Sequence, residues 1–401
     1  MLDLMPSLGA WRPAVSGQRC AVATIVAAGG SVPRPLGTSM VVSEQGDVLG
    51  SLSGGCVEGA VVQAALEVMR DGGSRLESFG YSAEDAFAVG LTCGGELEVH
   101  IQPFQSTSTA GLDLALLNTV GSLPSSMALL RRLDAAGGAM VVPDPAGFSV
   151  LDSPELLGLL GGDAAVIRAA AAQVEPLLRG GRTGLVRLAA VEGCSTPGPE
   201  PITLFVESRL PAARMLIFGA NDFGAALLPA GKLLGYDVTL CDARPAFSSQ
   251  GRFLAADQTV TDWPHRYLAA EAAAGRIDSR AVVCVLTHDP KFDIPLLETA
   301  LSLDLAYVGA MGSRRSHRQR IDGLLEGGTP AEALERLHSP IGLDLGAITP
   351  AEVAVSITAE ILATRASHGG PGVASLKDGT GPIHRADPRS NNETPQENPW
   401  T

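Results

Sequence analysis

The sequence predicts an α/β protein: a C-terminal Rossmann-like domain with a parallel sheet, preceded by an N-terminal α+β domain that carries a degenerate internal duplication. Three observations lead there. From Arg214 onward, short β-branched runs alternate with helical stretches, the pattern of parallel strands joined by crossover helices. The first of those runs leads into IFGANDFG, a variant of the glycine-rich strand-to-helix turn. Before them, an order of short strands, Gly-rich loops and one Ala-rich helix occurs once clearly and once in weaker form.

In chain order, residues 1–105 form the first unit. A strand AVATIVAA is followed by the Pro- and Gly-bearing loop SVPRPLGT, a strand SMVVS and a turn at Gln45 to Asp47. The Gly-rich LGSLSGGCVEG then runs into the Ala-rich helix, and ELEVHIQPF closes the unit as a strand of alternating character. Residues 106–212 hold a linker and the second copy: MALLRRL, a turn at Asp144 to Gly147, a helix near 163–178, an RGGRTG turn and ITLFVES. That copy has no equivalent of SGGC, so the duplication is expected to have kept the scaffold and lost the chemistry.

Residues 213–365 form the Rossmann-like domain. Its clearest strands are MLIFGA (Met215 to Ala220), YDVTLCDA (Tyr236 to Ala243), AVVCVLTH (Ala281 to His288) and LAYVGAMG (Leu305 to Gly312). Helices are expected after Asp222, near Tyr267, after Pro290 and after Ser313. A last helix starts at Thr349, which can cap it, with Pro350 in the first turn and Glu352 completing a capping box. From 366 to 401 the composition turns to Gly, Pro, Asn and Ser with little to bury, which predicts a disordered tail.

Composition narrows the function. Hydrophobic residues make up 45% of the chain but aromatics only 4%, so the cores must be built from Ala, Val, Leu and Ile, and an aromatic platform for nucleic acid is disfavoured. A formal charge of −14 repels polyanions, which argues against DNA, RNA and anionic membranes as partners. The start, MLDLMPSLGAW, lacks the basic and apolar regions of a signal peptide, and no apolar run approaches membrane-spanning length. A cytoplasmic location is the expectation. The six cysteines are scattered, without the close pairing of a zinc site, and a disulfide scaffold is improbable in such a chain. Cys241 and Cys284 lie inside apolar strand-like runs and read as structural.

Candidate chemistry falls in two places. In IFGANDFG, Gly219 and Gly224 stand at the outer positions of the dinucleotide fingerprint, with Asn221 where the middle glycine should be. Asp222 is expected to cap the amides that would otherwise hold an anion, and Asp242, at the end of the next strand, suits a ribose hydroxyl. A tight turn without a ligand explains the same residues equally well. Later strand ends add Thr287, His288 and Asp289, then Gly309, Gly312, Arg314 and Arg315, the last group a plausible anion seat. A solvated face accounts for the arginines alone, but three such loops on one sheet edge favour a ligand site.

In the N-terminal half, Ser53, Gly54 and Gly55 form a loop whose amides can face a ligand, and Cys56 falls beside the next helix start, a setting that favours a reactive thiolate. Glu58 argues against a freely electropositive pocket there. Cys93, in GLTCGGE, also neighbours two glycines, and an inert buried thiol is as good a reading of it as a functional one.

Together these stretches resemble the XdhC and CoxI family, accessory factors of xanthine dehydrogenase. The resemblance is carried by GSVPRPLGTSMVVSEQGDVLGSLSGGCVEGAV, LTCGGELEVHIQP, FVESRLPAARMLIFGA, GYDVTLCDAR, VLTHDPKFDIPLL, AYVGAMGSRR and SPIGLDLGAITPAEVAVSITAEI, in order and in both domains. It implies a maturation chaperone that binds the molybdenum cofactor (molybdopterin), assists exchange of an oxo for a sulfido ligand, and delivers the product to an apo molybdenum hydroxylase. The implied partners are that hydroxylase and a sulfur donor such as a cysteine desulfurase; a homodimer is the default expectation for a chain of this kind. Cys56 becomes the candidate cofactor-contacting or sulfur-handling thiol, with Cys93 second. The family commonly has GAGHVG where this chain has GANDFG, which weakens any NAD(P) role. The competing functions are an NAD(P)-dependent oxidoreductase, supported by Asp242, and an interaction module without a ligand.

Overall fold

The structure, a computed structural model, describes residues 1–30, 32, 34–80, 95–104, 126–134, 137–188, 201–248 and 250–366. Cys93 lies outside them, as do residues 367–401 of the tail expected from 366 on, while Ala366 itself ends the last helix. The described residues form two compact units that part between Pro211 and Ala212.

The first unit opens with two short helices, α1 (Met5–Leu8) and α2 (Arg12–Val15), and then builds an antiparallel sheet. Its elements are β1 (Cys20–Gly29), β2 (Ser39–Ser43), β3 (Val48–Gly50), α3 (Glu58–Asp71), β4 (Arg75–Phe79) and β5 (Glu96–Phe104), in strand order β3-β2-β1-β5-β4. Alternate residues of β1 and β5, among them Ala21, Ala23, Ile25, Leu97, Val99 and Ile101, bury Val61, Ala65 and Val68 of α3.

A second sheet follows from β6 (Met127–Arg132), β7 (Ala139–Val142), α4 (Pro154–Leu159), α5 (Ala164–Arg179), β8 (Thr183–Leu188) and β9 (Ile202–Arg209), in order β7-β6-β9-β8. Strand for strand this is the order β2-β1-β5-β4 of the first sheet, antiparallel throughout, with the main helix at the same point in the chain. The faces turned away from the helices meet: Cys20, Val22 and Val41 share one cluster with Met127 and Leu129. Burial on both faces is why these strands read as nearly continuous apolar runs.

The second unit alternates strands and helices: β10 (Arg214–Phe218), α6 (Asp222–Leu233), β11 (Asp237–Cys241), α7 (Pro245–Ser248), β12 (Gln258–Val260), α8 (Pro264–Ala273), β13 (Val282–Val285), α9 (Pro290–Ser302), β14 (Tyr307–Ala310), α10 (Arg314–Glu326), α11 (Ala331–Leu334), β15 (Leu337–His338) and α12 (Pro350–Ala366). All pairings are parallel, and the order β12-β11-β10-β13-β14-β15 reverses at β10, where open sheets of this kind take ligands. The edge strands β12 and β15, absent from the predicted set, have 3 and 2 residues, too few to leave a periodic signal. The expected capping box of α12 is formed: Glu352 N donates to Thr349 Oγ1 at 3.3 Å, and Thr349 N donates to the Glu352 carboxylate at 2.9 Å.

No helix among the described residues is long and apolar enough to cross a membrane.

Candidate functional site

The loop that joins β3 to α3 is organised around one carboxylate. Glu58 Oε1 accepts from Ser51 Oγ (2.8 Å) and from the amides of Leu52 (3.1 Å), Ser53 (2.8 Å) and Gly54 (3.0 Å). Its Oε2 accepts from Ser53 Oγ (2.7 Å) and from the amides of Gly55 (2.8 Å) and Val57 (3.2 Å). Burial pushes Glu58 up, but the bonds from Ser53 and Ser51 outweigh it and hold the carboxyl well below the usual range. The expectation that the Ser53, Gly54 and Gly55 amides turn to a ligand is therefore corrected: they turn to Glu58, the group that sits where an anion would.

Cys56 lies on this wrapped loop, one residue before Val57, which takes the N-cap position of α3. Its amide donates to Ser53 Oγ at 3.0 Å, and its side chain is half-buried at the margin of the α3 core. The other described cysteines differ. Cys20, Cys241 and Cys284 are buried, and burial pushes their thiols up, to about 11 for Cys20 and about 12 for Cys241. Cys241 and Cys284 sit in the core of the parallel sheet, as their apolar runs predict. Among the described residues no group of His, Cys, Asp and Glu could hold a metal ion on its own.

In the second unit the parallel sheet brings Gly219, Gly224, Asp242, His288, Asp289, Gly312, Arg314 and Arg315 to its carboxyl edge, on the loops after β10, β11, β13 and β14 or in the first turns of α6 and α10. Gly309 lies within β14, where a Cβ would meet the Ile341 side chain at 2.6 Å, so its smallness serves packing. Gly219 has φ +122°, and a Cβ there would stand 3.1 Å from the Leu286–Thr287 backbone. At Gly224 it would stand 2.6 Å from the Gly219 carbonyl oxygen. The turn itself demands both glycines.

Asn221 fills the crevice at the strand reversal. Its Oδ1 accepts from Gly224 N at 2.9 Å and caps α6, while its Nδ2 donates to the Leu286 carbonyl at 2.8 Å. The predicted cap, Asp222, is instead exposed and paired with Arg252. Asp242 is buried, and each of its oxygens carries two bonds: from Ala220 N (2.7 Å) and Arg244 Nη2 (2.8 Å), and from Arg244 N and Nε (both 2.9 Å). Burial pushes Asp242 up, but Arg244 and the two amides bring it below its ordinary value. Its lone pairs are all engaged, three of them by Arg244, with which a ribose hydroxyl would have to compete.

On the later loops, Asp289 caps α9 by accepting from Lys291 N at 3.2 Å, and His288 beside it is exposed. Ser313 caps α10 by accepting from Ser316 N at 3.1 Å, which leaves Arg314 and Arg315 exposed at the helix start.

Sequence reasoning missed what holds these loops. Asp293, on α9, accepts from Thr287 Oγ1 and from Arg320 Nη2, the latter at 2.8 Å. Arg320, on α10, also donates to the Met311 carbonyl (3.0 Å) and to Ser339 Oγ (3.2 Å). One buried ion pair thus ties the ends of β13, β14 and β15 together. Its only sequence trace is a charge inside each of two helices.

The comparisons with known proteins follow the same division. Residues 215–361 match the profile of the XdhC Rossmann domain, and residues 14–80 that of the XdhC and CoxI family. The chain is 25% identical over 351 residues to the molybdenum cofactor insertion chaperone PaoD of Escherichia coli, covering 88% of this chain and 85% of that protein. It is 26% identical over 349 residues to a probable xanthine dehydrogenase subunit of Bacillus subtilis, covering 87% and 94%. In fold it is similar to a crystal structure from Bacillus halodurans described as a xanthine dehydrogenase, with TM-score 0.56 and 23% identity over 92% of this chain and 98% of that one.

Proposed function

Because this chain belongs to the XdhC and CoxI family, we propose that it is a maturation chaperone that takes the molybdenum cofactor as cargo, assists its sulfuration and inserts it into an apo molybdenum hydroxylase. The hydroxylase is of the xanthine dehydrogenase or CO dehydrogenase type, and the sulfur comes from a donor such as a cysteine desulfurase. A homodimer and a cytoplasmic location complete the reading. Its main support is the similarity to a named insertion chaperone over most of both chains. The shared order of the two N-terminal sheets supports a duplication in which the first copy alone carries the cysteine loop.

The residues fit such a cargo in kind. Cys56 offers a half-buried thiol on a loop that Glu58 holds rigid, the setting in which a soft metal or a sulfur atom is met by a positioned ligand. Arg314 and Arg315, at the start of α10, offer a separate seat for a phosphate. An NAD(P)-dependent oxidoreductase is disfavoured by the Asn221 and Arg244 bonds that fill the dinucleotide crevice.

Titration of the purified protein with molybdenum cofactor released from a donor enzyme, and separately with NADH, tests the proposal. Binding of the pterin cofactor alone is the expected result. Binding of NADH alone would establish the oxidoreductase, and binding of neither the interaction module.

A further inference from the structure

The last helix, α12, has no polar side: PAEVAVSITAEILATRA spreads its apolar residues around the whole circumference. A helix of that kind is built to be covered on every face. One face is covered. Ala354, Ile357 and Ile361 are at most 3% exposed and share a core cluster with Leu227 and Leu228 of α6. The opposite face is open: Val355 is 59% exposed and Leu362 47%, two turns apart on the same side, with Ala351 before them and Thr358 and Ala359 between them. Ile348, 85% exposed, stands just before the first turn, its amide donating to Glu352 at 2.9 Å. Thr358 Oγ1 donates to the Ala354 carbonyl at 2.9 Å, so the hydroxyl asks nothing of a neighbour. Single exposed apolar side chains are ordinary, but a stripe of them along a helix that is otherwise core marks a surface that is covered by something.

The stripe has a two-fold pattern. Val355 and Leu362 are equally far from the midpoint between Thr358 and Ala359, and so are Glu352 and Arg365, both exposed at the flanks of the stripe. A second α12 laid antiparallel across that midpoint therefore sets Val355 against the partner's Leu362, twice over, as an isologous contact requires. The short side chains of Thr358 and Ala359 fall where the two helices cross, which lets the axes approach. Each end then brings Glu352 level with the partner's Arg365, whose guanidinium also donates to the Tyr236 hydroxyl. A parallel copy would bring carboxylate level with carboxylate and align the two helix dipoles.

We propose that the outer face of α12 is a self-complementary interface on which a second copy of this chain packs its own α12 antiparallel, with Val355 of each copy against Leu362 of the other. The proposal rests on the homodimer reading given above and adds where the copies meet. A face one helix long makes a small interface, so the dimer is a weak one, dissociating in the micromolar range.

Sedimentation of the full chain over a dilution series tests this, with circular dichroism as the folding control. The wild type should pass from dimer to monomer. Val355→Glu and Leu362→Lys, each at an exposed position, should leave the fold intact and weaken the dimer by about a hundredfold or more, since the two-fold counts each substitution twice. The chain carrying both substitutions should regain most of the affinity, because each new carboxylate meets the partner's new ammonium. Within one helix the two positions lie seven residues apart, too far to pair with each other. A wild type that stays monomeric throughout overturns the proposal and leaves the face to another protein. A dimer indifferent to both single variants overturns it while keeping the homodimer, and failure of the double variant to recover overturns the antiparallel pairing. The cofactor titration decides the chaperone reading separately, whichever of these results is found.

Discussion

Asn221 donates its side-chain amide to the carbonyl of Leu286 across 2.8 Å, joining the first strand-to-helix turn to the end of the neighbouring strand. The bond spans the crevice in which this strand order ordinarily takes a dinucleotide. The unmodified chain should therefore show no micromolar heat of binding with NADH in titration calorimetry. Asn221→Gly removes the bridge and the cap of α6 together, at a cost of only a few tenths of a kcal/mol for the cap. That variant, alone or with Asp222→His, should bind NADH more tightly than the unmodified chain; micromolar binding by the latter would refute the account.

The same neighbourhood shows what can be read from sequence and what cannot. Gly219, Gly224 and Asp242 are legible because a strand-to-helix turn and a second strand fix their places locally. Their partners are not. Arg244 claims Asp242 through a turn only two residues long, and Asp293 meets Arg320 27 residues away, once α9 and α10 have packed. The cysteine loop is legible as a loop, since Ser, Gly and Gly permit little else. That Glu58 folds back to fill it is not, because a glutamate in a first helical turn satisfies the helix dipole equally well pointing outward.

Alkylation should separate the described cysteines by burial. Cys56 is half-buried, whereas Cys20, Cys241 and Cys284 are covered and their thiols pushed up. Brief treatment of the folded protein at neutral pH, mapped by mass spectrometry, should label Cys56 before the other three. Equal labelling of all four would contradict the burial seen here.

Glu58→Gln should loosen the cysteine loop. The amide supplies one carbonyl oxygen but turns an NH2 group toward donors that need an acceptor, at a cost of about 1 kcal/mol once solvent screening is allowed for. Because the folded carboxyl is held below its unfolded value of about 4.3, the wild-type advantage is fully present above that pH. It is lost progressively as the pH falls toward the folded value. Hydrogen exchange of amides 52–57 should therefore be faster in the variant at pH 7, with the gap narrowing at pH 3.

Breaking the Asp293–Arg320 pair should cost far more than an exposed salt bridge. The two side chains are 3% and 5% exposed, so Asp293→Asn or Arg320→Met leaves a buried charge without its counterion, a loss of about 3–5 kcal/mol. Replacing both by apolar residues of similar volume should recover most of it. Urea denaturation of the two single variants and the double variant measures the coupling. Additive losses would show that the ion pair does not act as a unit.

Cys56→Ala carries the functional proposal. The thiol lies at the edge of the α3 core, and Glu58 and Ser53 hold the loop around it. Removing one small group there should cost about 1 kcal/mol, so the folded chain should survive, with circular dichroism as the control. A contact to the metal or to a transferred sulfur atom has no such substitute among the other described cysteines, which are buried. Coexpression of the partner hydroxylase with wild-type or variant protein, followed by assay of its activity and of the cyanide-releasable sulfur of its cofactor, reads the difference. The variant should leave the hydroxylase inactive and its cofactor without sulfido sulfur. Cys56→Ser, which keeps the volume and a polar atom but not the soft ligand, should fail in the same way. Should either variant mature the partner as well as the wild type does, Cys56 is a packing residue and the sulfur-handling role has to move elsewhere.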